Sequence, residues 1–156
     1  MTLLLLIAAT ACIGLLAGAS LDQSIKQLPA RRRIGSVAYS QYSRASDLGR
    51  GILFYAILGA GAAALCIAAV IAAALQGLLL VRAVPICAGA VLALLHTLAT
   101  TQAAPTNFSQ RKVAPDDEAG LAGVFDRFAR WQAVRCVLQV INFGVNLWAV
   151  VSLAGY

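Results

Sequence analysis

Four runs of apolar residues, Leu3 to Ala19, Gly51 to Leu75, Ala83 to Thr100 and Ala133 to Leu153, take up most of the chain. Each has the roughly 17 to 25 residues that a helix needs to cross about 30 Å of hydrocarbon. Lipid offers an unpaired backbone no partner, so such runs have little choice but to be helical. Of the 156 residues, 61% are hydrophobic and 12% charged, too apolar for a soluble domain that must cover its own core. The expected fold is all-α: one membrane-spanning four-helix bundle over residues 1–156, with spans at about 3–22, 51–75, 83–101 and 130–153. Only the connections 20–50 and 101–132 remain, which leaves no room for a separate soluble catalytic domain.

The first run ends in "LAGAS", a small-residue stretch of the kind that signal peptidases cut. No lysine or arginine precedes Leu3, however, and the run is long for a signal core, so an uncleaved first helix is expected. The first and third connections carry Lys26, Arg31, Arg32, Arg33, Arg44, Arg50, Arg111, Lys112, Arg127 and Arg130, whereas the opposite side offers only Arg82. Basic residues stay on the cytoplasmic side. The expectation is a multi-pass protein of the cell membrane with both termini on the outer side and both long connections in the cytoplasm. The net charge of +6 then follows from topology and from attraction to anionic lipid headgroups. "ARRRIG" is too short a basic run for a nucleic-acid partner.

Both connections have helical character. Ile34, Val37, Ala38, Tyr42, Ala45 and Leu48 recur at three- and four-residue steps, an amphipathic segment over about 31–48. It either lies at the interface or extends the second span, with a bend at Gly49 and Gly51, and Pro29 is expected to part it from the first helix. The third connection begins at Pro105. Pro115 before Asp116, Asp117 and Glu118 reads as the acidic first turn of one long helix that runs on into the fourth span. Gly14 and Gly18 allow close packing, inside the bundle or against a second copy. Cys12, Cys66, Cys87 and Cys136 form no CxxC pair and read as apolar packing residues.

Polar residues inside a span are costly unless they face one another or water. Arg135, Gln139, Asn142 and Asn146 follow at steps of four, three and four, one stripe of the fourth helix, with Trp131 a turn before Arg135. On the third helix, His96 and Thr100 share a face. At 1.5 Å per residue, His96 lies roughly 7 Å below the boundary, Arg135 roughly 6 Å and Gln139 roughly 12 Å, so the two helices bring their polar groups to similar depth. The simplest arrangement is a cavity toward the cytoplasmic leaflet with His96, Arg135 and Gln139 on its walls. Each member also has a plainer reading: His96 as a packing residue, Arg135 snorkelling to phosphates, Asn142 and Asn146 as interhelical hydrogen bonds, Trp131 as an interface anchor. A bis-histidine heme would need a second histidine. The carboxylates Asp22, Asp47, Asp116, Asp117, Glu118 and Asp126 lie in or beside the connections, so no metal site is expected. Asp22 and Asp47 are within reach of the cavity mouth, but are expected to pair with the arginines around them.

The stretch from Thr101 to Asn107, "TQAAPTN", followed by a polar connection and by "RFARWQAVR" (Arg127 to Arg135), resembles the anthrone oxygenase-like family of small four-helix membrane proteins. "LDQSIKQLPARRRIG" after the first helix is similar to a bacterial branch of it. The sharp parts of the resemblance are Pro105, Thr106, Asn107, Trp131 and Arg135. It implies an oxidoreductase that adds oxygen to a phenolic tricyclic ketone, an anthrone, with neither metal nor flavin. The residues suit that chemistry: His96 as general base toward an acidic C–H, and Arg135 with Gln139 or Asn107 holding the oxyanion. Trp131 or Tyr39 would stack on a flat aromatic or quinone-like substrate, with Thr100 and Asn142 completing the binding set. No cofactor is implied, although a heme or quinone between subunits stays compatible with the sequence. Two other classes are open: an accessory or scaffold protein packing against itself or a larger membrane complex, whose polar stripe would be sealed, and a carrier or transporter of lipophilic ligands.

Overall fold

The computed structural model describes residues 1–155. Helix α1 (Thr2–Asp22) passes through a π-helical turn, Gln23–Gln27, into the short α2 (Leu28–Ile34). After Gly35, α3 (Ser36–Ala45) passes through a second π-helical turn, Ser46–Gly51, into α4 (Ile52–Leu75). Helix α5 (Leu80–Phe108) ends in a 3₁₀ turn, Ser109–Lys112, and α6 (Glu118–Ala154) closes the chain. Four continuous helical stretches, Thr2–Ile34, Ser36–Leu75, Leu80–Lys112 and Glu118–Ala154, are long and apolar enough to cross a membrane, as a four-span membrane protein requires.

The helices form a closed ring in chain order, α1 against α4, α4 against α5, α5 against α6 and α6 against α1. Thr2 Oγ1 donates to Gln76 Oε1 at 3.0 Å, tying the start of α1 to the end of α4. The interior is layered. Leu6, Ala69, Ala73, Ile86 and Ala149 fill one end, and Ala9, Ile13, Leu16, Ala62, Cys66 and Ala93 fill the middle. Leu28, Tyr39, Ala103, Leu121, Phe125 and Phe128 form the layer at the charged end, where α2 and α3 lie against α6. In lipid, association depends on close packing rather than on expulsion of water. Gly14 supplies it on α1, since a Cβ there would come within 2.9 Å of the Phe143 ring, whereas Gly18 meets nothing within 4 Å. Only half of the glycine pair is used within the bundle. Gly89 makes the equivalent place for Asn146, whose Nδ2 would be 2.8 Å from an added Cβ.

The charged end differs from the sequence expectation in where helices break. Pro29 does not separate the first helix from the amphipathic segment. It sits in the first turn of α2, where a missing N–H and a fixed φ cost nothing. The break falls at Gly35, whose φ of +84° lies in the left-handed region that favours glycine. Pro105 does not end the third span either. Helix α5 continues through it to Phe108, because Ala103 and Asn107 on the inner face are buried and outweigh one lost backbone hydrogen bond. From Ser36 on, the amphipathic segment continues into α4 through the second π-helical turn, with the expected bend at Gly49 (φ −91°, ψ −120°). Asp117 caps α6 by accepting from the Gly120 N–H at 2.8 Å, as the acidic run after Pro115 predicted. At 37 residues, α6 far exceeds a bilayer crossing, so its charged first turns stand clear of the hydrocarbon. There Glu118 accepts the backbone N–H groups of Ser36 and Val37, capping α3, and Arg31 pairs with Asp126.

Candidate functional site

Between the middle layer and the charged-end layer the four helices separate around a cavity of about 400 Å³. Small residues create it on the α4 side, where Ala56, Gly59, Ala60 and Ala63 line the wall, and a Cβ added at Gly59 would meet only open space. Leu16, Leu48 and Phe128 make the other walls apolar. The exposed members of the lining, among them Ile52, Tyr55, Thr97 and Phe108, all belong to α4 and α5, so the mouth lies between those two helices.

His96 and Arg135 both line this cavity, with Thr100 and Asn107. His96 is buried, and its Nε2 lies 2.6 Å from Gln139 Nε2 across the α5–α6 interface. With the amide as donor, Nε2 is the acceptor and the ring proton sits on Nδ1; with the amide turned, Oε1, otherwise buried without a partner, accepts Nε2–H and the lone pair is on Nδ1. Thr100 Oγ1 stands 3.3 Å from the same Nε2 while donating to the His96 carbonyl at 2.9 Å. Gln139 thus orients the histidine from behind the wall rather than lining the space. The expectation that α5 and α6 bring their polar groups to one depth holds, with Gln139 rather than Arg135 as the residue that meets His96.

Arg135 Nη1 donates to Gln132 Oε1 at 3.0 Å, and Gln132 Nε2 donates to the Ser20 carbonyl at 3.4 Å. The Arg135 Nε is buried without a partner. Asn107 Oδ1 accepts from Gln110 Nε2 at 2.7 Å, and Gln110 also engages Ser40 and Ser43, so the charged-end wall is a hydrogen-bonded lattice between α3 and the end of α5.

Three of the expected site residues are elsewhere. Trp131 is 38% exposed and is not part of the lining, because the inward face of α6 runs through Phe128, Gln132, Cys136 and Gln139 and leaves Trp131 on its flank. Tyr39 is 2% exposed, with its ring edge-on to Phe125 at 4.8 Å, a core residue of the charged-end layer. Asn142 is sealed in the bundle and accepts from Asn146 Nδ2 at 2.8 Å. The stripe is therefore split, its upper half at the cavity and its lower half closed by its own hydrogen bonds and by Gly89.

Ser20, Gln23, Tyr55 and Thr97 on the wall and Gln132 behind it are polar residues that sequence reasoning left out of the site, and Asp47 lines the wall although pairing with arginines was its favoured reading. Asp47 does not pair with an arginine. Its Oδ2 accepts from Gln23 Nε2 at 3.0 Å and from Ser43 Oγ at 3.3 Å. Asp22 pairs with Lys26 and accepts from Gln27, again no arginine. Lys26, one helical turn on, reaches Asp22 before any arginine can, and Asp47 Oδ2 is taken up by Gln23 and Ser43. Gln132 was legible: it lies seven residues before Gln139, two helical turns along the same face. Among the described residues no group of histidine, cysteine, aspartate and glutamate side chains is arranged to hold a metal ion. The four cysteines are all free. No protein-family model, curated protein or solved structure matches the chain.

Proposed function

We propose that this protein is a membrane-embedded enzyme of the oxygenase type, acting on a small lipophilic aromatic molecule that enters the cavity from the side. The observation that carries the reading is the cavity itself: an apolar space of about 400 Å³ with one imidazole and one guanidinium on its wall. That size and lining suit a flat molecule of two or three fused rings. His96 is the base. Its imidazole removes a proton from an acidic C–H conjugated with a carbonyl, and Arg135 stabilises the enolate oxygen that results. The carbanion is oxidised by O₂ with formation of a C–O bond, the imidazolium returns its proton to give a hydroperoxide, and O–O cleavage with loss of water leaves the second carbonyl, so that one O₂ yields one quinone and one water. The resemblance of Thr101 to Asn107 and of Arg127 to Arg135 to the anthrone oxygenase-like family supports an anthrone-like substrate, and the excess of basic residues at the cavity end supports a cytoplasmic location for it.

Purified protein in mild detergent, incubated with an anthrone under air, is expected to form the quinone and consume O₂ above background. The His96→Ala and Arg135→Gln variants should each lower the rate at least about a hundredfold, the scale of general base and oxyanion contributions. Rates that stay at wild-type level in both variants would sink the mechanism. The open lateral mouth also favours a second reading, a carrier of lipophilic ligands. Stoichiometric binding without turnover under those conditions is its signature. The scaffold reading expects a sealed polar stripe, which describes Asn142 and Asn146 but not His96 and Arg135.

A further inference from the structure

The cavity holds one carboxylate and one guanidinium, and they do not touch. Asp47 and Arg135 both line it, yet the ion pairs among the described residues are Lys26 with Asp22 and Arg31 with Asp126. Opposite charges in a poorly screened space attract strongly, so keeping them apart requires holding both ends. Asp47 is held at Oδ2 by Gln23 and Ser43. It sits on a π-helical turn whose shape needs Gly51, where a Cβ would meet the Ser46 carbonyl oxygen at 2.9 Å. Arg135 is held at Nη1 by Gln132, itself anchored on Ser20. Both tethers leave capacity. The two hydrogen bonds to Asp47 fall on one oxygen and leave Oδ1 open, and Arg135 gives only one of its five N–H donors to an acceptor among the described residues.

We infer that Asp47 and Arg135 are a two-point clamp for a flat, mostly apolar molecule bearing a hydroxyl at one edge and a carbonyl oxygen at another. The hydroxyl donates to Asp47 Oδ1 and the carbonyl accepts from the Arg135 guanidinium. Charge decides the class. An anionic ligand would be repelled by Asp47 and a cationic one by Arg135, and a pure hydrocarbon would displace water from both charges without supplying a partner to Asp47 Oδ1 or to the remaining Arg135 donors. A neutral molecule with one donor and one acceptor satisfies both and lets the apolar walls cover the rest. Asp47 is then the residue that sets specificity, selecting hydroxylated ketones over plain ones. This inference rests on the cavity being a ligand site, and not on the reaction that comes after binding.

The test compares two probes on the full chain in detergent: fluorenone, and a hydroxyfluorenone whose hydroxyl is too far from the ketone for an internal hydrogen bond. The wild-type protein is expected to prefer the hydroxylated probe. Asp47→Ala should weaken it about tenfold, the loss of one charge-assisted hydrogen bond, with fluorenone changed less than about twofold. Arg135→Gln should weaken both. Asp47→Asn, which keeps the side-chain volume, covers the case in which the alanine variant fails to fold and should shift the preference the same way by a smaller factor. Equal losses for both probes, or none for either, overturn the clamp and leave the ligand site standing. Failure of both probes to bind the wild-type protein overturns the clamp and the ligand site together.

Discussion

His96 depends on one side chain from another helix, and Gln139 depends on it in return. The 2.6 Å contact between them is the only hydrogen bond of the Gln139 side chain among the described residues, and its Oε1 is buried without a partner. Replacing Gln139 with leucine would strand the imidazole nitrogen in an apolar interface. The expected cost is about 1–2 kcal/mol, toward the upper part of what polar contacts are worth between membrane helices. Thermal unfolding in mild detergent measures it, and a variant as stable as wild type would mean that water takes the place of the amide. The two glycines of α1 give a paired control. Gly14→Leu should destabilise clearly because the Phe143 ring already occupies the space, while Gly18→Leu, which meets nothing, should be near neutral.

At the scale of helices, the α2–α3 hairpin is held by one buried cluster, by the Ser40 and Ser43 contacts with Gln110, by the Arg31–Asp126 pair and by the Glu118 carboxylate. Leu28, Tyr39, Leu121, Phe125 and Phe128 are buried at the charged end, each worth about 1.5–3 kcal/mol where the alternative is exposure to water. Glu118 adds the cap on α3. Hydrogen bonds from the Ser36 and Val37 backbone hold its carboxyl below the ordinary glutamate range. A lowered folded-state value means that the contribution is complete above the ordinary glutamate pKa and disappears as pH falls through the folded one. Wild-type stability is therefore expected to decline as pH falls below the ordinary glutamate range by an increment that Glu118→Gln lacks, read as the difference between the two proteins' melting temperatures as the pH is lowered. Gly35→Ala should destabilise by about 1–2 kcal/mol, since alanine resists a φ of +84°.

These same elements show what one-dimensional patterning conveys. The four spans, the uninterrupted α6 and the Asp117 cap were legible because apolar run length and an acidic first turn are local signals. The pairing of His96 with the Gln139 stripe was legible because helix rise fixes depth. Helix ends were not. Pro29 and Pro105 look like stops in sequence, and only packing on the inner face of each helix decides that they are not. Asp47 was legible only as one of two readings, because a π-helical turn shifts the face on which a residue emerges and the 3.6-residue count that located Gln139 does not apply to residues 46–51.

For the whole molecule, the cavity is an absence of side-chain volume on α4. Gly59→Leu places a large apolar group where an added Cβ meets nothing within 4 Å. It should abolish ligand binding while leaving the melting temperature equal or higher, since it fills space without displacing a neighbour. Loss of both stability and binding would mean that the open volume is needed for folding. On the proposed reading of a membrane-embedded site, an opening between α4 and α5 faces hydrocarbon. A molecule that reaches it is counted in moles per mole of lipid, not in moles per litre. Half-saturation measured against total ligand should then rise in proportion to the amount of lipid or detergent present, and the partition coefficient of a compound will rank its occupancy alongside its fit.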